Sequence, residues 1–181
     1  MPEPVSDFLS PFFLLGVEIG TNDFFLTRYS HCSSSLKPDK ESLNDWLFRD
    51  YFIVDKVSEM TATTLSEVLD TLKIDYLDWF KIDSQGTDLR IFKQLKNSIR
   101  NKVLVAEFEP GLADTYLNED KLHSILKFMN EEFFIDKVSI TGEHRIMPET
   151  AKKIFTRSQL KLFQLTDNIV SNQSAIFANI T

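Results

Sequence analysis

The chain has 181 residues, 43% of them hydrophobic and 26% charged, with a formal charge of −7 and a pI near 5.0. That composition excludes wholesale disorder, fits a single domain spanning 1–181, and supplies enough apolar surface for a core without staples. The acidic balance argues against a nucleic-acid backbone or an anionic membrane as the main partner, and the single cysteine, Cys32, excludes an internal disulfide framework and a cysteine-type zinc site.

From the N-terminus, Phe8 to Val17 is apolar like the core of a signal peptide, but Glu3 and Asp7 precede it where Lys or Arg belong, and Pro11 interrupts it. It is also shorter than the roughly 20 apolar residues a bilayer span needs. The lone thiol fits a reducing compartment, so the expected location is cytoplasmic. The sequons at Asn172 and Asn179 are then read as chance. Residues 12–29 predict two strands joined by a turn at Gly20-Thr21-Asn22-Asp23. Residues 30–46 are polar and read as a loop with one short helical turn, and 51–59 as a strand.

Thr64-Leu65-Ser66-Glu67 matches a capping box, followed by Leu65, Val68, Leu69 and Leu72 on one helical face. Tyr76 to Asp83 is a mostly apolar run ending in an acid, followed by Ser84-Gln85-Gly86 and a helical pattern over 87–100. Lys102 to Phe108 is again a short apolar run, with Glu107 near its end and Pro110-Gly111 as its stop. Asn118 is a candidate N-cap for a helix carrying Leu122, Ile125, Leu126, Met129 and Phe133. Ile135 to Thr141 reads as the next strand, 150–166 as a basic helix or loop (Lys152, Lys153, Arg157, Lys161), and Ser174 to Ile180 as a last edge strand. Strands alternating with helices, each strand nearly continuous in apolar residues, predict an α/β fold whose parallel sheet is covered on both faces.

Ligands of such sheets bind beyond the carboxyl ends of the strands, which places Asp83 and Glu107 as candidates to accept from a ligand amine or hydroxyl or to hold a substrate proton. Gly86 permits a sharp turn and close backbone approach, at the N-terminus of the helix beginning near Thr87. The competing reading is that Asp83 caps that helix and Glu107 pairs with a lysine. His31, His123 and His144 show no paired metal-ligand spacing, and no metal is expected. Cys32 lacks a nucleophile elbow. Lys152, Lys153 and Arg157 read as a solvated face, and Trp46 and Trp79 as core or pocket wall.

The run from Ile74 to Asp88, I-D-Y-L-D-W-F-K-I-D-S-Q-G-T-D, resembles the signature of the FkbM-type methyltransferases: an apolar strand, Lys-Ile-Asp, two residues, Gly, one residue and an acid. Lys81-Ile82-Asp83, Gly86 and Asp88 match it, with Asp88 where Glu is more usual. Thr64 to Leu69 resembles the Thr-Leu-Asp helix ahead of that signature, with Ser66 replacing Asp; Val105-Ala106-Glu107 resembles the strand after it. Leu26-Thr27-Arg28 through Cys32-Ser33-Ser34 and Lys37-Pro38 resembles the upstream hairpin. The resemblance covers about 12–141, leaving 142–181 as a C-terminal helix or loop and edge strand.

The resemblance implies a class I, Rossmann-like methyltransferase sheet and an S-adenosylmethionine-dependent O-methyltransferase acting on a small-molecule or sugar hydroxyl. It implies Asp83 and Glu107 as catalytic residues, Asp83, Gln85 and Gly86 near the cofactor, and Asp88 and Glu107 toward the acceptor. One departure stands out. The family's cofactor loop, Asp-x-Gly-x-x-x-Gly, has only Gly16 to Asp23 as a counterpart, and the strand-like Phe24 to Arg28 follows where a helix should begin. Residues 16–28 are therefore read as the later hairpin, and the sheet as incomplete in its N-terminal half. An incomplete sheet exposes an edge suited to aggregation or homo-oligomers. The alternative function is a non-catalytic α/β interaction module. A nicotinamide enzyme lacks its G-x-G-x-x-G.

Overall fold

A computed structural model describes residues 14–111, 114–141, 147, 149, 150, 153, 156 and 173–179. The strands are β1 (Leu14–Leu15), β2 (Gly20–Thr27), β3 (Val54–Thr63), β4 (Trp79–Ile82), β5 (Val105–Phe108), β6 (Phe134–Thr141) and β7 (Gln173–Asn179). The helices are α1 (Lys40–Leu43), α2 (Leu65–Leu72), α3 (Asp88–Lys93), α4 (Asn97–Arg100) and α5 (Leu122–Glu132), with 3-10 turns at Ser30–Cys32 and Arg49–Phe52. The architecture is mixed α/β, built on two sheets. No helix among the described residues is long and apolar enough to cross a membrane.

The first sheet has the order β1-β3-β2, with β2 antiparallel and β1 parallel to β3. The turn expected at Gly20 to Asp23 is absent: those residues lie inside β2, paired with Ala62 through Glu59. β3 runs on to Thr63 rather than stopping near 59, so it supplies partners for that polar stretch. Long-range ladder bonds thus override a local turn preference. The chain bends instead at residues 17–19.

The second sheet has the order β4-β5-β7-β6. β4 and β5 are parallel, and β7 is antiparallel to both β5 and β6. The strand expected at the C-terminal edge is therefore interior. It slots between two strands that run the same way, a placement that sequence separation does not reveal.

Phenylalanine dominates the core on one face of this sheet. Phe80 and Phe108 meet Phe92 of α3 at ring-centroid distances of 4.9 and 5.4 Å, and Phe92 meets Phe128 of α5 at 6.2 Å. Ile91, Phe92, Val103, Ala106, Phe108, Ile125 and Met129 are wholly buried. Edge-on ring pairs of this kind add to the burial term. The other face corrects the expectation of two-sided cover at β4: Phe80 is 4% exposed but Trp79 is 62% exposed. β4 thus alternates like a half-buried strand, and Trp79 is neither core nor pocket wall. A second cluster of Leu43, Phe48, Phe52 and Tyr116, flanked by Cys32, Leu36 and Trp46, lies apart from the first.

Local signals held in part. The Thr64 hydroxyl accepts from the Glu67 N–H at 3.3 Å, but the Glu67 carboxylate takes the Thr63 hydroxyl rather than the cap N–H. The single helix expected over 87–100 is broken into α3 and α4 at residues 94–96. Asn118 is no N-cap: it sits at φ +59° in the preceding turn, and Lys121 holds the cap position of α5. The expected basic helix or loop over 150–166 lies outside the described residues except for isolated positions, as do Phe8 to Phe13 and His144.

Candidate functional site

The site forms where β4 ends. The chain leaves the strand at Asp83 and must turn within four residues to enter α3. Gln85 and Gly86 achieve this with φ of +55° and +107°. A left-handed glutamine is uncommon, and such a conformation persists only where the surroundings fix it. Here the Ser34 hydroxyl, arriving from the far side of the chain, donates to the Gln85 carbonyl at 2.8 Å.

Asp83 keeps an exposed carboxylate at the rim. Its Oδ1 accepts from the Gln85 side-chain amide at 2.5 Å. Partial desolvation of its carboxyl group raises its pKa above the usual carboxylate value, with Glu109 and Asp88 adding negative charge, while Gln85 opposes the shift. It does not cap α3: Thr87 holds that position, and its N–H donates to the Ser84 hydroxyl at 3.1 Å. A proton-accepting group that remains open to solvent is thereby placed at the carboxyl end of β4.

The remaining sequence candidates are more engaged. Asp88 is 3% exposed. Its Oδ1 takes the Ser84 N–H at 2.9 Å and the Ser84 hydroxyl, and its Oδ2 takes the Glu109 N–H at 3.2 Å. It ties the loop after β4 to the loop after β5. Glu107 is 5% exposed and bonded to the Lys81 ammonium at 2.6 Å, which raises the Lys81 pKa. The lysine pairing weighed from sequence is the contact found. The acid that acts on Asp83 from the end of β5 is Glu109, two residues beyond Glu107.

Gly86 serves packing. A Cβ there would lie 2.9 Å from the Glu119 Cβ and 3.1 Å from Leu36 Cδ1, so no space for a ligand opens on that side. Its carbonyl accepts from the Asp120 N–H at 2.7 Å. Asp120 in turn accepts from the Arg90 backbone N–H and its Nε, both at 2.9 Å.

Two residues that the sequence reading left out of the site belong to it. The Tyr116 hydroxyl lies 2.8 Å from the Cys32 carbonyl and 3.0 Å from Gln85 Oε1, and Ser34 holds the Gln85 backbone. Neither is near residue 85 in sequence. The Cys-Ser-Ser segment was visible only through the family resemblance, and Tyr116 carried no signal in a stretch that reads as loop. The Cys32 thiol is pushed up to about 11 by burial and by the charge of Asp83, so it is protonated near neutrality. His31 and His123 are exposed, and no cluster of three or more metal-ligating side chains occurs among the described residues. An open cleft of about 400 Å³ lies at Gly111, Asp114, Lys121, Leu122, His123 and Leu126, and Asp83 does not line it.

The family model for the methyltransferase FkbM domain matches residues 9–135. The chain belongs to that family. No curated protein and no solved structure matches it at a significant level. Within this FkbM domain, residues 16–27 form a turn and the strand β2 rather than a glycine loop leading into a helix. Methyltransferases of this family imply S-adenosylmethionine, and to that group the candidate site residues offer one open carboxylate, Asp83. Gly86 leaves no cradle, and Asp88 and Glu107 are already bonded. Among the described residues no glycine loop leading into a helix is present to hold the cofactor's adenosine.

Proposed function

We propose that this chain carries the acceptor side of an S-adenosylmethionine-dependent O-methyltransferase site. The observation that carries this reading is the Asp83 carboxylate: open to solvent, raised in pKa, and held by Gln85 at the carboxyl end of β4. A general base works best with a pKa lifted toward the operating pH. Asp83 accepts the hydrogen bond of an acceptor hydroxyl and takes its proton as that oxygen is alkylated. The cofactor supplies the methyl group. Asp88 fixes the loop on which Asp83 and Gln85 stand, and the Lys81–Glu107 pair sits beside it on β4 and β5. The acceptor class proposed, a hydroxyl on a sugar or small molecule, rests on the resemblance to the family.

The test is titration of S-adenosylmethionine into the full chain by calorimetry, with Asp83→Ala alongside. Weak binding that falls at least tenfold in the variant is expected, since no glycine loop among the described residues holds the adenosine. A well-folded chain that binds nothing overturns the reading.

A second reading has its own observation. Among the described residues β4 has a ladder partner on one side only, and Trp79 and Tyr76 beside it are 62% and 57% exposed. A non-catalytic interaction module that self-associates through this edge is favoured by that surface. Sedimentation showing a dimer, together with no cofactor binding, would select it.

A further inference from the structure

We infer that Tyr116 is a positioning residue for Asp83, acting through the side-chain amide of Gln85. The inference rests on the methyltransferase reading for its purpose, but its geometry stands apart. Tyr116 is 3% exposed. Its ring is fixed edge-on against Phe52 at 5.5 Å, within the cluster that also holds Leu36 and Trp46. Its hydroxyl faces two oxygens, the Cys32 carbonyl at 2.8 Å and Gln85 Oε1 at 3.0 Å. Both are acceptors only, so they share the single phenol hydrogen. Burial holds that hydrogen on the phenol by raising its pKa far above the ordinary value.

The orientation of the amide follows. With Oε1 turned to the phenol, Nε2 must turn to Asp83, where it lies 2.5 Å from Oδ1. The reversed amide would set an oxygen against the ionised carboxylate. Ser34 fixes the backbone of Gln85 independently, through its carbonyl at 2.8 Å. Backbone and side chain of Gln85 are therefore held by separate anchors: Asp83 accepts only the NH₂ end of the amide, and Tyr116 holds the other end in place. Tyr116 touches no reacting atom.

The groups facing Asp83 are Glu109 from the loop after β5, Asp88 from α3, the Cys32 thiol and the Tyr116 phenol. The first two disfavour its charge, the last two are neutral near pH 7, and the amide N–H of Gln85 favours its charge. Releasing the amide must therefore raise the Asp83 midpoint.

The experiment follows the carboxyl carbon of Asp83 by NMR through a pH titration of the full chain with labelled aspartate. Tyr116→Phe, which keeps the ring, is expected to move the Asp83 midpoint upward. Gln85→Leu should move it by at least as much, and the double variant no further than Gln85→Leu alone. A midpoint unmoved in Tyr116→Phe while Gln85→Leu moves it, or shifts that add in the double variant, overturns the inference. If Tyr116→Phe fails to fold, the wild type itself decides. The Gln85 side-chain NH₂ and the Tyr116 Cζ resonances should both titrate with the same midpoint as Asp83, and the failure of either to do so overturns it. Calorimetry with S-adenosylmethionine on the same samples reads the methyltransferase proposal separately: a wild-type chain that binds none removes that proposal while the Asp83 shifts still decide this one.

Discussion

Replacing Gly86 by alanine asks two things of the fold at once. The backbone sits at φ +107°, outside any region an L side chain adopts readily, and the new Cβ would lie 2.9 Å from the Glu119 Cβ. Glu119 cannot yield cheaply, because its carboxylate holds the Thr115 N–H at 2.9 Å, the Thr115 hydroxyl at 2.8 Å and Lys121 at 2.7 Å. Backbone strain of this kind costs about 1–3 kcal/mol, and overpacking a further 1–3 kcal/mol or so. Two other glycines separate these contributions. Gly20, at φ +139°, has nothing within 4 Å of an added Cβ, so its alanine variant carries the backbone cost alone. Gly16 has no positive φ, but its Cβ would meet that of Ala62 at 2.9 Å, so its variant carries the steric cost alone.

Urea unfolding followed by circular dichroism should therefore rank Gly86→Ala below both, with a loss of about 2–6 kcal/mol against about 1–3 kcal/mol for each of the others. For a chain of this size the larger loss lowers Tm by roughly 4–24 °C. A Gly86→Ala variant no less stable than Gly20→Ala would refute the reasoning, since the contact with Glu119 would then impose nothing.

Two further outcomes follow from the charges. Because Asp83 has its pKa raised on folding, the stability linked to its protonated form is present below about the ordinary value of 3.8 and is lost as pH rises through the folded value. Asp83→Asn escapes that loss, so urea midpoints of variant and wild type should converge below pH 4 and separate above it, the variant being the more stable; the reverse order would contradict the burial argument. Cys32, with a pKa pushed from 9.0 to about 11, should react with iodoacetamide at pH 8 about two orders of magnitude more slowly than an ordinary thiol, since the thiolate is the nucleophile. A rate that matches the ordinary thiol would mean that the segment beneath Tyr116 is open.

Much of the second sheet was legible because its signals are local. The apolar runs ending at Asp83 and Glu107 are short and nearly continuous. Leu122, Ile125, Leu126 and Met129 recur at helical spacing, and each determines burial through the immediate chain geometry. Thr64 marked the start of α2 for the same reason. The failures were at points where a distant partner decides. Gly20 to Asp23 has the composition of a turn, yet Met60 to Ala62 recruit it into a ladder. The strand near the C-terminus has the composition of an edge, yet β5 and β6 leave a place between them. Trp79 reads as core, and its strand has packed helices on one face only.

The same division runs through the site. Sequence by itself determined that an acid ends β4, that a glycine follows within three residues, and that the pattern of Lys81, Asp83, Gly86 and Asp88 is that of the FkbM family. Those are properties of one contiguous segment, and spacing along a chain is what sequence records. Tertiary structure alone decided what each acid does. It buried Asp88 as a brace and paired Glu107 with Lys81. It left Asp83 open, and it brought Ser34 and Tyr116 from 51 and 31 residues away to fix the glutamine beside it. A hydrogen-bond partner is chosen by distance and direction in space, and packing of the Phe52 and Tyr116 rings, which no local pattern encodes, sets both.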